Sequence, residues 1–188
     1  MSGRFSGRCS RVAVIALALL AGGCGYRFRG EVNPPAGIKS VMVPTFANKT
    51  YEPGLELAFT ERLRSEFLKG KGAQLVLSRD RADAVLSGEV LTFRSVPTVL
   101  VPPARDIGGK RLQPRRYRAI VEVRISLVSV ETGEVLWEDR MEGTEEYDAG
   151  EAPEGFEPLA REAQQQSAIA ALAEDLMREA YDRIMSDF

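Results

Sequence analysis

The stretch Tyr117-Arg118-Ala119-Ile120-Val121-Glu122-Val123-Arg124-Ile125-Ser126-Leu127 decides the fold. Tyr117, Ala119, Val121, Val123, Ile125 and Leu127 alternate with Arg118, Ile120, Glu122, Arg124 and Ser126. A period of two sends one set to each face of a strand, so one face meets a core and the other meets water. Just beyond it, Glu131-Thr132-Gly133-Glu134 supplies a hairpin turn whose glycine is free to take positive φ. Val135 to Tyr147 then returns as the partner strand, with Trp137 on the inner face. Upstream, residues 84–95 (AVLSGEVLTFRS) read as another strand, with Gly88 as a candidate bulge.

Working outward, Ile38 to Phe46 is rich in β-formers and apolar on both faces in its middle, which suits an interior strand. Ala47-Asn48-Lys49-Thr50 reads as a turn into a helix over about 53–69. Pro53 suits the first helical position, Glu56 the positive end of the dipole, and Gly70 to Gly72 a left-handed stop. Leu55, Phe59, Leu63 and Phe67 recur every four residues and form one apolar stripe. A short strand over 73–78 follows, so strand, helix and strand predict a parallel pair. At the other end a helix runs from Pro158 to about Met185, with Ile169, Leu172, Leu176, Ala180 and Ile184 at helical spacing. Its first half is rich in alanine and glutamine, so the stripe is weak there. The expected fold is α+β, a two-layer sandwich of two helices on one face of a four- to five-stranded mixed sheet.

Composition excludes several chemistries. The 188 residues contain no histidine and two cysteines, Cys9 and Cys24. Imidazole acid–base catalysis, Ser-His-Asp and Cys-His nucleophile systems and histidine-ligated metals are ruled out. No D-x-D-x-D-G calcium loop and no G-x-x-x-x-G-K-[ST] phosphate loop occurs. Neither a metal, a cofactor nor an enzymatic activity is expected. A net charge of −2 argues against nucleic acid as a partner.

Residues 1–23 read as a signal peptide. Arg4, Arg8 and Arg11 precede the ten-residue apolar run Val12 to Ala21, about half the length needed to span a bilayer as a helix. Leu20-Ala21-Gly22-Gly23-Cys24 resembles a bacterial lipobox. Cleavage would leave Cys24 lipidated, and two or three acyl chains anchor a protein stably where one does not. Gly25 in place of aspartate favours the outer membrane. Residues 24–37 read as a tether and 38–188 as the folded domain.

Charge is unevenly placed in that domain. The proline-punctuated stretch 96–118 reads as a loop and holds Arg105, Lys110, Arg111, Arg115, Arg116 and Arg118 against Asp106 alone. Arginine forks suit phosphates and carboxylates. Two readings stand side by side: an arm that touches an anionic surface or a partner, and a solvated flexible loop. Residues 138–157 hold nine acids against Arg140, and solvation of a sheet edge explains them better than a calcium site.

Cys24-Gly25-Tyr26-Arg27-Phe28-Arg29-Gly30, Gly37 to Thr50, Pro53-Gly54-Leu55-Glu56, Ala82 to Gly88 and Glu134-Val135-Leu136-Trp137 together resemble the LptE family of lipopolysaccharide-assembly lipoproteins. The resemblance spans the chain from Cys24 onward. It implies a two-helix, four-stranded sandwich lodged in the lumen of the outer-membrane barrel LptD, acting as plug and assembly factor and contacting lipopolysaccharide. The implied partners are the barrel, lipopolysaccharide and, through Cys24, the membrane. The V-x-V-P-x-F-x-N-x-T pattern also occurs in lipoproteins that activate peptidoglycan synthases or serve secretion channels, which is the alternative.

Overall fold

The structure is a computed structural model that describes residues 37–102, 112–149 and 158–186. Six strands, β1 (Ser40–Met42), β2 (Ala47–Asn48), β3 (Gln74–Val76), β4 (Ala84–Val101), β5 (Gln113–Ser129) and β6 (Val135–Asp148), form one mixed sheet. Its order is β3-β1-β4-β5-β6, with β2 also beside β4. Helices α1 (Leu55–Lys69) and α2 (Pro158–Ser186) pack on one face. The expected α+β sandwich is therefore what the chain forms.

Strand β5 carries the period-two pattern in full. Every odd residue from Tyr117 to Ser129 is buried, and the intervening even residues are half-buried or exposed. Gly133 takes φ +73° in the turn to β6, as the hairpin requires. Trp137 pairs with the buried Leu127 and lies on the same face. Both helical stripes are core: Leu55, Phe59, Leu63 and Phe67 from α1, and Ile169, Leu172, Leu176, Ala180 and Ile184 from α2. Each large side chain so buried contributes roughly 1.5–3 kcal/mol.

The additional strand, β2, forms over Ala47–Asn48 where a turn was expected, and the expected 38–46 strand shortens to Ser40–Met42. Met42 pairs with Val85 and Ala47 with Glu89, so five steps on one side oppose four on the other. Pro44, which has no N–H to give the sheet, sits in the interruption. The backbone groups freed there turn to α1. The Val43 carbonyl accepts from Arg64 Nε and Nη2 at 3.0 and 2.7 Å, and the Phe46 N–H donates to the buried Thr60 hydroxyl at 2.9 Å. Two of the backbone groups at the break are satisfied in this way.

Three local expectations change. Gly88 is not a bulge: it stays in register with Ile125, and the shift falls between Val90 and Thr92. A Cβ on Gly88 would lie 2.2 Å from the Phe46 ring, so glycine is there to let the ring lie on the strand. Helix α1 begins at Leu55 rather than Pro53, because Gly54 takes φ +89° and closes a turn before it. Gly70 ends the helix in an extended conformation, φ −74° and ψ 163°, not a left-handed one. Its missing side chain makes room for the Tyr181 hydroxyl of α2.

Candidate functional site

Beyond Val90, β4 continues with β5 and β6 as a three-stranded arm. Of the stretch 96–118 expected to be a loop, the described residues are mostly strand, because β4 extends through Pro97 to Val101 and β5 starts at Gln113. Past Val90 no described strand lies on the other side of β4. A proline there withholds a donor that faces no neighbour, so Pro97 does not end the strand.

Register places the arginines. Cross-strand neighbours share a face, so the helix-free face carries the rows Arg94–Ile120–Thr144, Val96–Arg118–Glu146 and Val99–Arg116–Asp148. Arg118 Nη2 donates to Glu146 at 2.8 Å, and Arg116 Nε lies 3.4 Å from Asp148. Farther along the same face, Arg124 meets Glu89 and Glu138, and Arg140 meets Glu122 at 2.5 Å. These pairs are mostly exposed, and each contributes about 0–1 kcal/mol. Their consequence is a surface of alternating sign.

Arg116 and Arg118 are thus brought together, interleaved with the exposed Val96, Val99 and Leu100. Arg115 is not with them. Strand alternation turns it to the opposite face, and its carbonyl accepts the Ala149 N–H at 2.8 Å. Arg105, Lys110, Arg111 and the lipidation candidate Cys24 lie outside the described residues, as do the signal peptide and most of the tether. The acids of β6 do more than solvate an edge, since Glu138, Glu146 and Asp148 partner the arginines of β5.

The other face of the arm holds a cluster that sequence reading missed. Tyr117 and Tyr147 pair across β5 and β6, with ring centroids 5.5 Å apart and planes 15° from parallel. The Arg161 guanidinium of α2 sits 5.8 Å from the Tyr117 centroid. Tyr147 donates to Gln165 Oε1 at 3.1 Å, and Ser95 Oγ lies 2.5 Å from the same phenol oxygen. Burial raises the Tyr147 pKa, partly opposed by the Ser95 hydrogen bond. Counting back equally from the Glu131–Glu134 turn brings Tyr117 against Tyr147 to within one residue, so the signal was available.

Asp83 is a second unforeseen centre, at the opposite end of β4. Its Oδ2 accepts from the Lys39 and Ser40 amides at 2.9 and 2.8 Å and from Ser40 Oγ at 2.8 Å. The Ser40 hydroxyl first, then the two amides, hold its pKa below the ordinary aspartate value. Asp83 therefore ties the entry of β1 to the start of β4. Among the described residues no group of three histidine, cysteine or acidic side chains could hold a metal ion. Nor is any described helix long and apolar enough to cross a membrane.

Comparison with known proteins follows the fold. A family profile described as "LptE: Lipopolysaccharide-assembly" matches residues 38–188. No curated protein matches the chain significantly. Among solved structures, lipoprotein B from Nitrosomonas europaea aligns with TM-score 0.53 at 12% identity, covering 87% of this chain and 92% of that one. A lipoprotein from Caulobacter crescentus CB15 aligns with TM-score 0.51 at 17% identity, covering 75% and 88%. The protein CT253 from Chlamydia trachomatis gives TM-score 0.51 at 10% identity, covering 78% and 95%. At these identities the likeness is one of fold.

Proposed function

The chain belongs to the LptE lipopolysaccharide-assembly family, and from that premise we propose that it is an outer-membrane lipoprotein, anchored through Cys24, that partners an LptD-type barrel as plug and assembly factor. The observation that carries this reading is the family match over the whole of the folded domain, 38–188. The physics of the surface supports it. A barrel lumen is polar, and the helix-free face of the sheet is a mosaic of paired charges with almost no large exposed apolar side chain before Val96. Such a face sits against a polar wall without desolvating an unpaired charge. Lipid attachment at Cys24 would confine the search for the barrel to the membrane plane and raise the effective concentration.

In this reading the arm meets lipopolysaccharide. Arg116 and Arg118 stand beside Val96, Val99 and Leu100, a combination that matches phosphates next to acyl chains. Arg105, Lys110 and Arg111 complete the basic set proposed for that contact, and Arg115, on the opposite face, is left out of it. No step of this function needs a nucleophile, in keeping with a role carried by shape, charge and position.

The test is affinity purification of the tagged, full-length lipoprotein from detergent-solubilised membranes. Recovery of an LptD-like barrel in stoichiometric amount is the expected result. Recovery of a peptidoglycan synthase or a secretion channel, with no barrel, would overturn the proposal in favour of the alternative.

A further inference from the structure

Helix α2 is attached to the sheet in two different ways. From Ala168 to Met185 it contributes Ala168, Ile169, Leu172, Ala173, Leu176, Met177, Ala180, Ile184 and Met185 to the core. From Leu159 to Ser167 it buries no residue, and Leu159 is 79% exposed. What faces the sheet in that segment is polar: Arg161 on the Tyr117 ring, and one turn later Gln165 on the Tyr147 hydroxyl. The Tyr147 proton goes to Gln165, so Ser95 supplies the hydrogen for the 2.5 Å contact on its other side. One phenol thereby links β4, β6 and α2. At the junction, Ser167 Oγ donates back to the Ala163 carbonyl at 3.1 Å, a bond that competes with the helical ladder and favours bending.

We propose that residues 158–167 form a cover, hinged near Ser167 and held shut by the Ser95–Tyr147–Gln165 chain and the Arg161–Tyr117 contact. The cover opens as a unit while the rest of α2 stays docked. Its opening exposes a trough on the inner face of the arm, floored by Phe93, Tyr117, Ala119 and Tyr147. The energetic ground is the contrast itself. From Leu159 to Ser167 the segment buries no side chain of its own; its opening uncovers the two tyrosine rings and breaks a few polar contacts, a smaller cost than undocking the nine buried side chains of the remainder. The inference rests on the contacts of the arm and does not depend on the barrel or on lipopolysaccharide.

Amide hydrogen exchange on the full chain tests it. The first four helical amides have no carbonyl partner in any helix, so the readout is residues 162–167 against 172–184. Residues 162–167 are expected to exchange at least tenfold faster in the wild type. Tyr147→Phe keeps the ring stack and removes both hydrogen bonds. It is expected to speed residues 162–167 a further threefold or more and to leave 172–184 unchanged. Gln165→Leu should act on the same residues in the same direction. Equal exchange along the whole helix would overturn the proposal. So would a Tyr147→Phe effect spread evenly over 172–184 and β5, which would mark Tyr147 as a general stability residue.

Discussion

Two residues show how much one side chain, or its absence, is worth. Gly88 lies in an unbroken stretch of β4 with the Phe46 ring pressed on its Cα. Because a Cβ would lie 2.2 Å from that ring, Gly88→Ala should cost about 1–3 kcal/mol in denaturant melts. Adding Phe46→Leu should recover part of the loss, since a smaller side chain relieves the overlap; a Gly88→Ala protein as stable as wild type would refute the packing role. Asp83 carries the acid response. Its folded pKa is depressed, so its contribution is present above the unfolded value of about 3.9 and is lost as pH falls through the folded value. Asp83→Asn should therefore be less stable than wild type at pH 7, and the gap should narrow below about pH 4. Melting temperatures at pH 7 and pH 3 check this, and a constant gap would exclude the linkage. Gly88 was visible in the sequence as an exception within a strand. The reason for it was not, because Phe46 is more than forty residues away and meets it only in the folded sheet.

At the scale of elements, periodicity located α1, α2, β5 and β6 to within a few residues, since apolar spacing reports directly which face is buried. Leu176→Ala removes a side chain 4% exposed on the α2 stripe, and a loss of about 2–5 kcal/mol is expected. Leu159→Ala, on the same helix but 79% exposed, should change stability by less than about 0.5 kcal/mol. Equal effects in thermal melts would contradict the division of the helix into a core half and a covering end. Prolines misled where periodicity did not. Pro97 and Pro114 suggested a loop, yet both sit in strands, Pro97 opposite Tyr117 and Pro114 opposite Leu100. The cost of a proline depends on whether a neighbour awaits its N–H, and neighbours are a tertiary fact. Pro44 makes the converse point, since it does interrupt its strand, and only Arg64 and Thr60 of α1 make the interruption affordable.

For the molecule as a whole, the predictions concern attachment and charge. Cys24→Ala should move the protein from the membrane to the soluble fraction; retention through an alkaline wash would refute lipid anchoring. Replacing Arg116 and Arg118 with alanine should weaken lipopolysaccharide binding, and the deficit should shrink as salt screens it. Glu146 and Asp148 already neutralise part of that charge, so Glu146→Gln with Asp148→Asn should strengthen binding at low salt. Unchanged binding in both variants would remove electrostatics from the contact. The sequence by itself determined the fold class, the anchor expectation, the core stripes and the exclusion of imidazole chemistry, because composition and short periods are local properties. Only the tertiary structure decided which arginines share a face, which acids answer them, and that Tyr117, Tyr147, Arg161 and Gln165 meet. Those outcomes depend on strand register and helix docking, where one residue of slip would turn every side chain to the opposite face.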